Sequence, residues 1–248
     1  MTLGVTAIVL GGGSADDAVA ARFGVAVKAL AIIAGQPMAA HVLRALRGAE
    51  VERIVYVGPV TPALEGLIDT HVAARGTMLE NLQVGLAAIG DAGRVLVATA
   101  DIPLLTSEAV RDVLNRDSGA GLVYPVIDML DSQAMFPTGK RTSAKLKEGR
   151  FTGGNLFLLE PRLVNDFLPR LEFVLDNRKN VLRLAGMFGL GTLFKLALGT
   201  LQIAELEASV SRILGVPAKA LITKYAEIGF DVDKLEDIAV VLEKLEHP

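Results

Sequence analysis

One carboxylate interrupts a run of otherwise uncharged, mostly apolar residues from Val95 to Leu105, and that run decides the fold class. A strand without polar alternation is buried on both faces, as in a parallel sheet covered by helices. In open α/β sheets ligands are met beyond the carboxyl ends of such strands, so Asp101 stands where a metal or ligand would be bound. Taken alone it could equally be the Asp that opens a turn. Pro103 ends the pairing, and Thr106 is suited to cap a helix over Ser107 to Asn115.

The same alternation recurs along the first half. Val5 to Leu10 reads as a strand, Pro37 to Arg47 as a helix, Arg53 to Gly58 as a strand, Met78 to Ile89 as a helix and Gly121 to Ile127 as a strand. Repeated βαβ crossovers predict a mostly parallel sheet with helices on both faces. The polar stretch Asp128 to Arg150 reads as a loop-rich excursion, Leu156 to Leu159 as a strand, and Pro161 as the start of a helix. A strand over Glu227 to Val232 and a helix over Leu235 to Leu245 are expected to close the chain. Residues 1–176 and 215–248 form the expected core, and 177–214, rich in apolar residues and glycine, an inserted helical lobe.

With 248 residues the chain suits one α/β domain plus a small lobe. A net charge of -3 gives no global attraction to nucleic acid. The absence of cysteine excludes disulfides, thiolate metal sites and a cysteine nucleophile, and fits a cytoplasmic protein. Between Leu184 and Ala204 Lys195 is the only charge, yet four glycines and a mid-span lysine argue against a membrane span. Burial against a second subunit, giving a homodimer, or against an apolar acceptor is expected for this segment.

The first strand runs from Leu10 into Gly11-Gly12-Gly13-Ser14, where bare backbone can offer N–H groups to phosphate oxygens. Asp16 stands where Gly-x-Gly-x-x-Gly needs its third glycine, and no Gly-Lys-Ser/Thr follows, so dinucleotide and P-loop readings lose weight. Then come Arg22-Phe23-Gly24, Lys28-Ala29-Leu30 and Gly35-Gln36-Pro37. With Asp101-Ile102-Pro103, Gly153-Gly154-Asn155 and Asp231-Val232-Asp233-Lys234-Leu235-Glu236-Asp237 in that order, the chain resembles the molybdenum-cofactor guanylyltransferase-like (MobA-like) NTP transferases.

That resemblance implies a Rossmann-like three-layer α/β/α fold and transfer of an NMP group from an NTP to a phosphorylated small molecule, with release of pyrophosphate. GTP or CTP is favoured over ATP. Such chemistry asks a protein for charge neutralisation and in-line positioning. Leu10 to Gly13 would cradle phosphates. Lys28 and Arg22 would act on the triphosphate, one as a point charge and the other as a directional donor. Asp101 would hold Mg²⁺, with Asp233, or Asp231 on the same face of the expected strand, as partner. Asp237 is read as capping or solvating the last helix. Gly76, Thr77 and Asn81 are expected near the base, and Gly154 and Asn155 near the acceptor or ribose. The basic run Lys140 to Arg150 is read as greeting an anionic acceptor or as a solvated loop. Asp16 and Asp17 would repel phosphates if they faced them, and Leu235 replaces the usual proline of the closing motif. Two rival readings are a nucleotide-sugar glycosyltransferase and a nucleotide-binding regulatory protein without turnover. Thr99 weighs against the first, because sugar-transferring relatives of this fold carry an acid there.

Overall fold

The computed structural model describes residues 4–90, 93–139, 141–161 and 187–246. In chain order the elements are β1 (Thr6–Leu10), α1 (Ala18–Phe23), β2 (Ile32–Ile33), β3 (Gln36–Pro37), α2 (Met38–Gly48), β4 (Arg53–Val57), α3 (Pro62–Glu65), β5 (Thr70–Val72), α4 (Met78–Ile89) and β6 (Val95–Thr99). There follow α5 (Ser107–Asn115), β7 (Leu122–Asp128), α6 (Met129–Met135), β8 (Ala144–Leu146), β9 (Gly149–Gly153) and β10 (Leu156–Leu159). After the undescribed stretch come α7 (Leu190–Leu198), α8 (Ile203–Leu214), β11 (Ala218–Thr223) and α9 (Leu235–Glu246).

Among the described residues nine strands form the main sheet, in the order β5-β4-β1-β6-β10-β7-β9-β8, with β11 also paired to β7. The pairings of β5, β4, β1 and β6 are parallel, as is β7 with β11, whereas β9 and β10 run against the rest. The absence of alternation in the central strands has a direct cause. Ala7, Val9, Ile54, Tyr56, Leu96 and Ala98 enter one core with α2 and α5, while Ile8, Leu10, Val55, Val57, Val95 and Val97 enter another with α4. Both faces are therefore dry, and the chain is a three-layer α/β/α sandwich.

Caps set the helix starts. Thr106 Oγ1 accepts from Ala109 N at 3.1 Å, and Thr77 forms a capping box with Glu80. Asp17 caps α1 by accepting from Val19 N and Ala20 N. That carboxylate is turned to the N-terminus of α1.

Two expectations are corrected. Asp128 to Arg150 is not mainly loop: Asp128 caps α6, and β8 and β9 form an antiparallel pair that turns Leu146 and Phe151 inward. Such short, one-sided elements carry too few apolar residues to show a period. The expected strand Glu227 to Val232 is instead a 3₁₀ turn over Ala226–Gly229 followed by irregular chain, and the strand lies earlier, in β11. The apolar run misleads because it is buried as a turn, closed by Ile228 N to Tyr225 O at 3.2 Å and Phe230 N to Glu227 O at 3.2 Å. The helix expected from Pro161 and the part of the lobe over 177–186 lie outside the described residues.

α8 packs on β11, but α7 buries none of its residues and leaves Leu190, Phe194 and Leu198 exposed on one face. No described helix is long and apolar enough to cross a membrane.

Candidate active site

Asp101 stands two residues beyond β6, and its carbonyl accepts from Val232 N at 2.8 Å. This backbone bond pins the C-terminal turn to the end of the central strands. As a result one carboxylate oxygen each of Asp101, Asp231 and Asp233 lies within 4.8 Å of the others. The same-face argument for Asp231 and Asp233 fails, since no strand exists there; the turn brings them to Asp101 instead.

Lys28 reaches this cluster from a 3₁₀ turn, Lys28–Leu30. Its Nζ lies 2.8 Å from Asp101 Oδ2 and 3.0 Å from Asp233 Oδ1, and donates to Val232 O at 3.0 Å. Burial alone would lower the lysine's pKa, but Asp101 and Asp233 together hold it well above its ordinary value. Arg141 stands on the other side. It donates from Nη2 to the Asp231 carbonyl at 2.7 Å and lies 3.8 Å from the Asp231 carboxylate and 3.7 Å from that of Asp237. Its guanidinium stacks on Phe230 at 4.0 Å from the ring centroid. Asp237 accepts from Asp233 N at 3.1 Å and Lys234 N at 3.0 Å, so it caps α9 and fixes the turn together.

Four carboxylates thus face two cations. Burial first, then the charges of Asp101 and Asp233, push Asp231 up to about 6. Burial also works to raise Asp233, but the Lys28 hydrogen bond and charge prevail and lower it. Asp101 Oδ1 is buried without a hydrogen-bond partner. Hard oxygen donors, excess negative charge and an unpartnered carboxylate oxygen are what a magnesium-sized divalent ion requires.

The glycine loop lies beside this cluster, at the ends of β1 and β4. A Cβ on Gly11 would stand 2.2 Å from the Tyr56 hydroxyl, and one on Gly12 2.4 Å from Asn81 Nδ2, so packing alone demands both glycines. At Gly13 nothing comes closer than 3.8 Å. Here no close packing demands glycine, and the backbone is open to a ligand. Asn81 Oδ1 accepts from Arg75 N at 2.6 Å, tying the segment before α4 to that helix. Gly76 and Thr77 belong to the start of α4; a Cβ on Gly76 would meet Glu80 at 2.6 Å.

Beyond Asp231 and Asp233 opens a cleft of about 800 Å³ lined by Tyr124, Arg141, Thr152, Asn155 and Lys234 among others. Asn155 donates its N–H to Ile228 O at 2.8 Å, while Gly154 is needed for packing, its Cβ position lying 2.7 Å from Ile228 Cγ2. Lys28, Asp101, Asp231 and Asp233 are therefore brought together, with Leu10 to Gly13 on one side and Asn155 on the other. Arg22 is not: it ends α1 on the surface, outside these contacts. Arg141 was visible in the sequence only as one of several cations in a polar run, and nothing there marked it as the one to be buried.

Residues 7–164 match the family model of the MobA-like NTP transferase domain. A protein of Thermus thermophilus described as a hypothetical transferase is 48% identical, with a TM-score of 0.87 over 95% of this chain and 99% of its own. A nucleotidyl transferase of Methanothermobacter thermautotrophicus is 17% identical, with a TM-score of 0.61 over 98% of each chain. The 2-C-methyl-D-erythritol 4-phosphate cytidylyltransferase of Thermus thermophilus is 14% identical, with a TM-score of 0.55 over 96% of this chain and 98% of its own. The last two likenesses concern the fold alone. No curated protein matches the chain.

Proposed function

The chain belongs to the MobA-like NTP transferase family, and from that premise we propose that it is a Mg²⁺-dependent nucleotidyltransferase acting on a phosphorylated small molecule. The observation that carries the reading is the meeting of Asp101, Asp231 and Asp233 with Lys28 at the carboxyl ends of the strands. The three carboxylates would hold Mg²⁺. When bound, that ion neutralises phosphate charge and orients the α-phosphoryl group.

In the reaction an acceptor phosphate oxygen attacks the α-phosphorus of the NTP. The bond from that phosphorus to the bridging oxygen breaks, and its electron pair leaves on pyrophosphate. The backbone of Gly11 to Ser14 receives the phosphates. Lys28 supplies positive charge against the leaving group. Arg141 and Lys234, at the cleft, draw in the anionic acceptor. Gly76, Thr77 and Asn81 lie on the base side, with GTP or CTP favoured. The reading also comprises a cytoplasmic homodimer joined through the exposed face of α7.

The test is a screen for pyrophosphate release from each of the four NTPs, with Mg²⁺ or EDTA, against a panel of phosphorylated acceptors. Release that needs Mg²⁺, one acceptor class and preferably GTP or CTP is expected. Nucleotide binding without release under every condition would mark a regulatory protein, and turnover of UDP- or GDP-sugars alone a glycosyltransferase.

A further inference from the structure

The polar cleft does not end at Thr152. Tyr124, Thr142, Thr152 and Gly153 also line a second cavity of about 450 Å³ on the far side of Tyr124. Its walls are Leu122 and Val126 of β7 and Phe151 of β9 on the sheet, facing Ile203, Leu206 and Val210 of α8. These residues share one face because strand side chains alternate. The floor is shallow: β11 lines it with Ala218 and Ala220, whose register partners are Leu122 and Tyr124, while Ile222 on the same face, paired with Val126, is not part of the lining. Gly153, paired with Val126, adds no side chain.

The polar groups at the far wall are already spent. Glu207 accepts from Ala220 N at 2.9 Å and from Lys219 Nζ at 2.7 Å, which clamps α8 to β11 and neutralises its carboxylate. The cavity is thus an apolar chamber that opens, past the Tyr124 ring, onto the Asp231, Arg141 and Lys234 end of the cleft. Its volume lies within the roughly 300–1,000 Å³ of small-molecule sites. A purely polar acceptor would leave its apolar walls to water.

We propose that the acceptor is amphipathic: a phosphate ester whose anionic head lies in the cleft and whose hydrocarbon portion fills this chamber. The proposal rests on the nucleotidyltransferase reading for the role of the head group, but the chamber's preference for hydrocarbon stands on its own lining. Gly153 then has a positioning role, because a Cβ there would come within 2.4 Å of the Tyr124 hydroxyl and displace the ring that separates the two spaces.

A series of n-alkyl phosphates from ethyl to decyl, titrated calorimetrically into the protein with Mg²⁺, tests this directly. Affinity is expected to rise by about fourfold per methylene until the chamber is full. Ala220→Leu, which raises the floor, should flatten the series from the longer chains downward while NTP binding is kept. A wild-type series without chain-length dependence overturns the proposal, whether the face proves open or covered by a second copy. Pyrophosphate release with short polar acceptors and a flat series leaves the transferase reading standing without the amphipathic acceptor. Chain-length-dependent binding without release from any NTP leaves the chamber standing and removes the transferase reading.

Discussion

Lys28 is the residue on which the site turns, because it is the ammonium set directly between Asp101 and Asp233. Lys28→Ala leaves three close carboxylates without that counter-ion, so the metal-free protein should lose stability, on the order of 3 kcal/mol as for other broken, largely buried pairs. Added Mg²⁺ should recover much of the loss in a thermal melt. The rate constant for transfer should fall by about 10² or more, as for loss of one preorganised donor; a change confined to KM would mean that Lys28 binds ground and transition states alike. Glu227 gives a pH prediction away from the metal site. Burial first, and the nearby Glu108 charge, raise its pKa above 4.5, against the hydrogen bond donated by Thr106 at 2.8 Å. A carboxyl with a raised folded pKa binds its proton more tightly when folded, so it costs stability as pH rises through and above the ordinary range. Glu227→Gln should therefore melt higher than wild type at neutral pH and converge with it in acid; equal melting at every pH would contradict the assignment. Asp101 was legible in the sequence because an uncharged strand leaves a carboxylate nowhere else to go. Arg141 was not, because burial of one cation among several is a property of the turn it meets.

At the scale of elements, the closing turn and α9 do what a strand was expected to do. Asp237 caps α9 and receives the N–H groups of Asp233 and Lys234, so it is a positioning residue for the carboxylates. Asp237→Ala should weaken Mg²⁺ binding about tenfold, as loss of an outer-shell partner does, while Asp237→Asn, which keeps an accepting oxygen, should restore most of it. An unchanged Mg²⁺ affinity in the alanine variant would show that the turn holds itself. The elements α4, α5 and β10 match the limits read from sequence, because caps and two-sided burial leave plain signatures, while β6 ends at Thr99, two residues short of the Asp101 end that was expected. The hairpin β2–β3, the pair β8–β9 and β11 were not. The first two are local pairs too short to show a period, whereas β11 depends on a neighbour distant in the chain, held by six register pairs with β7.

For the whole molecule, the sheet edge gathers the loop after β1, the Asp after β6 and the C-terminal turn into one site, which is why residues more than two hundred positions apart touch. The order of motifs along the chain made that gathering readable before any pairing was known. The apolar face of α7 is a separate matter. Leu190, Phe194 and Leu198 are 68%, 67% and 57% exposed, a stripe with a spacing of four residues that two-fold pairing would cover. Light scattering at micromolar concentration should give a dimer, and Phe194→Ser a monomer with unchanged helix content; a monomeric wild type would remove the dimer. The central claim, that the Asp101 cluster runs nucleotidyl transfer, is tested most directly by following an NTP labelled at the α-phosphorus, using the NTP and acceptor that give the highest rate. With wild type and Mg²⁺, the label should appear in the acceptor and the pyrophosphate should be unlabelled, and with a folded Asp101→Asn variant both products should vanish. Transfer of label at the wild-type rate by that variant, or label recovered only as free NMP, would contradict it.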